Sequence, residues 1–170
     1  GGSFHKWVRD EHGRLGLNTS ADFEHFVREF CKFADLYVKI KGYERTFDAK
    51  QPYAYYNAAL KFTLQTQLAF APIKYEDVGE TVERKILLVS RFIDIYIYTR
   101  VINYRSLDYS TIKYAMFQLT KRLRGLGVED LSIQLDKELA ELDISIDGGW
   151  DAFRLNFYTK KYIRHMLARI

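Results

Sequence analysis

The 170 residues are 48% hydrophobic and 28% charged, with a formal net charge of +4 at pH 7. That balance suits one globular domain with a real core, and it permits contact with nucleic acid without demanding it. Two prolines and ten glycines argue against long linkers and against an all-β chain of many tight turns.

The opening "GGS", residues 1–3, reads as a tag remnant and is left out of the fold. "TSADFEHFVREFCKFADLYVKIKG" predicts the first long helix. Phe23, Phe26, Val27, Phe30, Phe33, Ala34 and Tyr37 keep the three-four spacing of one helical face, with Thr19 and Asp22 as a capping box and Gly42 as the stop. "QPYAYYNAALKFTLQTQLAFAP" predicts a second helix, with Pro52 in its first turn and Pro72 at its end. Residues 80–103 predict the longest helix. "IDIYIYTRVI" alternates with period two, so a strand competes there. Val82, Ile86, Val89, Ile93, Tyr96 and Ile97 nevertheless continue one helical stripe, as a central bundle helix requires.

"DYSTIKYAMFQLTKRLRGLG" predicts a fourth helix, capped at Ser110 and stopped at Gly125. A fifth places Leu131, Leu135, Leu139 and Leu142 on one face. "DGGW", 147–150, reads as a turn, and a last helix starts near Phe153 or Phe157 and runs to the end of the chain. The expected fold is therefore all-α, about six helices in a bundle-like arrangement.

Charge divides the later part of the chain. Glu129, Asp130, Asp136, Glu138, Glu141, Asp143 and Asp147 make 129–147 acidic, whereas Arg154, Lys160, Lys161, Arg164 and Arg169 follow it. Lys121, Arg122, Arg124, Lys160, Lys161, Arg164 and Arg169 are the candidate DNA-binding residues, because bases on helices can lie along a phosphate backbone. Lys161, His165 and Arg169 recur at every fourth position and share a face. The competing reading is a solvated face, or one docked on the acidic segment.

Catalytic and metal motifs fail one by one. His5, Glu11, His12 and Cys31 match no metal-ligand spacing. His25 falls on the exposed side of its helix, and His165 lacks an orienting acid in sequence. Cys31, at the border of the apolar stripe, reads as a buried, inert thiol. "GRLGLN" and "GLG" have no following Lys-Ser/Thr to make a phosphate loop. No catalytic residue, metal ligand or cofactor is predicted. A single cysteine excludes an internal disulfide and points to a reducing, cytoplasmic setting. No apolar run reaches the ~18 residues of a membrane span; "ILLVSRFIDIYIY" is interrupted by Arg91 and Asp94.

"FHKWVRD", "LGLNTSADFEHFVREFCKFADLYVKI", "ILLVSRFIDIYIYTRVINYRSLDYSTIKYAMFQLTKRLRG" and "NFYTKKYIRHMLARI" together resemble the middle of GmrSD-type proteins, over nearly the whole chain after residue 3. The resemblance implies a helical region between a ParB-like, nucleotide-dependent N-terminal domain and a C-terminal HNH nuclease domain. It implies a modification-dependent (type IV) restriction or anti-phage parent. The Asp-Gly-Gln-Gln-Arg motif and the HNH motif are both absent, so no catalytic residue of that family maps here. The expected organisation is a helical bundle over 4–126 and a helical extension over 127–170 leading to a missing nuclease domain. Three functions follow as expectations: a non-catalytic helical middle domain coupling its flanking domains, a DNA-binding helical module, or an oligomerisation domain that pairs copies of the chain.

Overall fold

The computed structural model describes residues 3–142 and 153–169; the expected turn at 147–150 lies outside them. Every regular element among the described residues is a helix, and there are eight: α1 (Phe4–Asp10), α2 (Ser20–Arg45), α3 (Pro52–Ala59), α4 (Gln65–Phe70), α5 (Gly79–Ile102), α6 (Tyr109–Leu123), α7 (Val128–Ala140) and α8 (Phe157–Leu167). The all-α expectation holds, and the count of about six is corrected to eight. Two departures account for it. The short α1 precedes the first expected helix, and the expected second helix is two.

The break in that second helix is a Schellman motif. The Phe62 amide donates to the Asn57 carbonyl at 3.0 Å and the Lys61 amide to the Ala58 carbonyl at 2.9 Å, with Lys61 left-handed at φ 64°. Glycine or asparagine usually takes that position, so a lysine leaves no sequence signal. Tyr104 closes α5 in the same way: it stands at φ 53°, and the Arg105 amide reaches the Arg100 carbonyl at 2.8 Å.

Other ends follow their signals more closely. The Thr19–Asp22 capping box forms, with the Thr19 amide 2.7 Å from Asp22 Oδ2 and the Asp22 amide 3.2 Å from Thr19 Oγ1. The Thr19 side chain, and then the Thr19 and Asn18 amides, hold the Asp22 carboxyl below its ordinary value. Gly42 does not stop α2, which runs on to Arg45. α6 begins after Asp108 rather than at Ser110, because Asp108 has the extended backbone of a cap. It ends in a type II turn over Leu123–Leu126, whose third position requires the φ of 66° that Gly125 supplies.

The chain forms two compact units, residues 1–39 and 40–170. In the first, Val8 and Leu17 are buried, and the Phe4 ring stacks on Phe30 at 5.3 Å. In the second, α5 is the central element, packed by α3, α4, α7 and α8. Its predicted stripe of Val82, Ile86, Val89, Ile93, Tyr96 and Ile97 is buried throughout. α6 closes the outside against α4 and α7 through Ile112, Met116, Leu119 and Leu123. α8 lies antiparallel to α5: Tyr158 donates to the Arg105 carbonyl at 3.1 Å, and Arg169, in the turn just past α8, meets Asp94 near the middle of α5.

Candidate functional site

The most elaborate polar arrangement lies where α8 meets α5 and α3. Arg169 Nη1 donates to Asp94 Oδ1 at 2.7 Å. Its guanidinium lies over the Tyr56 ring at 4.0 Å and beside the Tyr98 ring at 5.1 Å. Nη2 is 3.1 Å from His165 Nδ1, so that imidazole nitrogen accepts, and the His165 ring meets Tyr56 edge-on. A planar cation held between two aromatic faces and a carboxylate is an arrangement that Arg makes and Lys cannot.

Burial governs the electrostatics of this cluster. Burial pushes the Asp94 carboxyl up, while Arg169 and His165 pull it back. Burial and the nearby Arg169 charge hold the His165 imidazole below its ordinary value, against a smaller opposing pull from Asp94. Burial raises the Tyr98 phenol to about 12. At pH 7 the phenol and imidazole are therefore neutral. Among the described residues, no Ser, Thr or Cys hydroxyl or thiol bonds to this cluster.

Two further networks tie the second unit together. Gln65 accepts from Asn57 Nδ2 at 2.8 Å and donates to the Ala54 carbonyl at 2.9 Å, while Glu44 accepts from Thr66 at 2.8 Å and from Lys41 at 2.6 Å. The break at Lys61 lets α4 present Gln65 and Thr66 to this belt. Lys85, only 1% exposed, donates to the Pro72 carbonyl at 2.8 Å and to Asp77 at 2.5 Å. Burial raises the Asp77 carboxyl, but the Lys74 amide and Lys85 ammonium outweigh it and hold it below its ordinary value.

The sequence-predicted basic residues stand in different settings. Arg122 makes a two-pronged contact with Glu138 across α6 and α7, at 2.5 and 2.8 Å. Arg169 turns inward to Asp94. Lys121 and Arg124 stay exposed at the end of α6, and Lys160, Lys161 and Arg164 on α8. Lys121 and Lys161 lie over Phe117 and Tyr162, each at 4.5 Å. The face shared by Lys161, His165 and Arg169 is thus divided: its first member faces water and the other two face the bundle. The sequence did hold one clue, the acid Asp94 interrupting an apolar run, which needs a counter-charge when buried.

Among the described residues no group of three His, Cys, Asp or Glu could hold a metal ion. Cys31 is exposed, which corrects the expectation of a buried thiol. No described helix is long and apolar enough to cross a membrane.

In the first unit, α1 and the start of α2 enclose a groove of about 590 Å³ lined by Phe4, His5, Val8, Phe23, Phe26 and Val27. The second unit exposes an aromatic patch on α6 formed by Tyr109, Tyr114 and Phe117, with Lys113 and Lys121 on the same helix. Comparison with family models, with curated proteins and with solved structures gives no match to this chain.

Proposed function

We propose that this chain is a non-catalytic helical connector, of the kind that couples a nucleotide-dependent module to an HNH nuclease in GmrSD-type restriction and anti-phage proteins. The observation that carries the reading is the pin between α8 and α5. Arg169, in the last turn that follows α8, is locked to Asp94 in the middle of the central helix and to Tyr56 on α3. A displacement of α8 is therefore felt at α5 and α3 together, through contacts made or broken as a set. The charged groups of the interior are engaged with each other, which is the chemistry of a mechanical part.

Hydrogen–deuterium exchange tests the coupling. Asp94→Asn should speed exchange in α8 and in the facing turns of α3 and α5. A change confined to α8 would overturn the connector reading, as would DNA cleavage by the purified chain with magnesium or manganese.

A second reading has its own observation. The exposed aromatic and basic side chains of α6, Tyr109, Lys113, Tyr114, Phe117 and Lys121, alternate stacking rings with cations, as surfaces for unpaired bases do. Fluorescence anisotropy with single-stranded and duplex DNA across a salt series tests it. Binding that weakens steeply with salt and is lost in Tyr114→Ala supports it, and no binding at low salt removes it.

A further inference from the structure

A cavity of about 270 Å³ opens where the break after α3, the start of α6 and the side of α8 converge, all within the second unit. Lys61 and Lys161 line it, together with Asp108, Tyr109, Tyr158 and Tyr162. Both lysines are exposed, and among the described residues neither is ion-paired. The Lys161 ammonium lies over the Tyr162 ring at 4.5 Å, and the Asp108 carboxylate accepts from Ser106 Oγ at 2.7 Å. Lys61 stands there at a backbone cost. Its φ of 64° is one that glycine adopts freely and a lysine does not. A lysine kept in a left-handed turn, with its side chain lining a cavity, points to a use for its charge.

Charge and size select the ligand. Two lysines against Asp108 leave one net positive charge, which complements the single negative charge of a phosphodiester better than the double charge of a phosphate end. The volume falls below the roughly 300–1,000 Å³ of pockets that enclose a whole drug-sized ligand, so the cavity suits one unit of a longer chain. Tyr109 joins it to the outer surface of α6. That residue also lines the neighbouring groove of about 280 Å³, which holds Tyr114 and Phe117. Rings for bases and cations for the backbone on adjoining surfaces are the two halves of a single-strand site. A strand stacked on the α6 rings brings its backbone past Lys61 and Lys161.

We propose that Lys61 and Lys161 clamp one internal phosphodiester of a single-stranded nucleic acid whose bases stack on Tyr109 and Tyr114 of α6. This clamp rests on the nucleic-acid reading of α6 and adds to it the place where the backbone is held. It keeps Lys161 from the basic residues marked by the sequence and adds Lys61, which helical spacing does not mark.

Fluorescence anisotropy with labelled oligothymidylates across a salt series tests the clamp. Lys61→Gly should lose roughly ten-fold in affinity, the scale of one charged hydrogen bond. It should also flatten the salt dependence by about 0.7 in log–log slope, the share of one single-strand phosphate. The same variant should unfold at an equal or higher urea midpoint, because glycine suits the left-handed turn. Weaker binding is then separated from a folding defect. Lys161→Gln should weaken binding by a similar factor, and Lys161→Arg should keep it. Strands with a 5′-hydroxyl and a 5′-phosphate should bind alike; a preference for the phosphorylated end would overturn the internal diester. No binding at low salt would remove the α6 reading and the clamp with it. Binding that is lost in Tyr114→Ala yet unchanged in both Lys61→Gly and Lys161→Gln would leave that reading standing and overturn the clamp alone.

Discussion

α2 and α5 are the two long helices of this chain, and each carries an apolar stripe of comparable regularity. The stripe of α5 is buried almost completely beneath α3, α4, α7 and α8, whereas the stripe of α2 is only partly covered, with Phe4 stacked on Phe30 and Phe23, Val27 and Tyr37 still exposed. The comparison teaches that periodicity reports which side chains share a face and is silent on what covers that face. Polar residues differ in the same way. α5 carries Lys85 and Asp94 into the interior and meets each with an opposite charge. The charges of α2 pair along its own surface, as Arg28 does with Glu24.

The largest expected contrast comes from truncating one residue in each stripe. Ile93→Ala removes a fully buried side chain and should cost about 2–5 kcal/mol in urea unfolding, the usual range for such a cavity. Val27→Ala, at an exposed position, should stay within about 0.5 kcal/mol. Equal effects would erase the distinction between the two stripes.

Lys85→Ala comes next in size. It leaves Asp77 without its buried partner and should cost about 3–5 kcal/mol at pH 7. Because the folded Asp77 carboxyl lies below its ordinary value, its contribution is complete above the unfolded carboxylate pKa. That contribution is lost as pH falls through the folded value. The gap between wild type and Lys85→Ala should therefore narrow in acid, as read from urea midpoints across pH.

Asp94→Asn should behave with the opposite sign. Burial raises the folded Asp94 carboxyl, so the native state binds its proton more readily than the unfolded chain. Stability from this group is complete below the unfolded pKa and declines as pH rises through the folded one. The substitution should cost about 1 kcal/mol or less at pH 7, the worth of an ordinary hydrogen bond, and more near the bottom of the carboxylate range. A cost that grows with pH would mean that the Arg169 pairing outweighs burial.

The smallest effect is a gain. Lys61→Gly relieves a left-handed lysine, a strain of roughly 1–2 kcal/mol, and gives part of it back through the freer unfolded chain. A net rise of up to about 1 kcal/mol in unfolding free energy is expected. A loss would mean that the lysine side chain contributes more than its backbone conformation costs.

How far the sequence could be read follows the range of the interaction involved. The helical state, the buried stripe of α5, the Thr19–Asp22 box and the Gly125 turn were legible, because each rests on residues a few positions apart. The candidate pin was legible only as an anomaly, Asp94 in an apolar run, since its partners Tyr56 and Arg169 lie far away in the chain. The break after α3 left no local mark, because a lysine occupies the position that glycine would have signalled.

The sequence by itself determined that this protein is helical and which faces of its helices are apolar. Those properties come from backbone propensity and from spacing along one helix. Only the tertiary structure decided that α3 and α4 part at Lys61, that His165 and Arg169 turn inward, and that the stripe of α5 is buried while that of α2 is covered only in part. Each of these depends on which surface arrives opposite, and a buried charge or an apolar face takes its meaning from its neighbour across space.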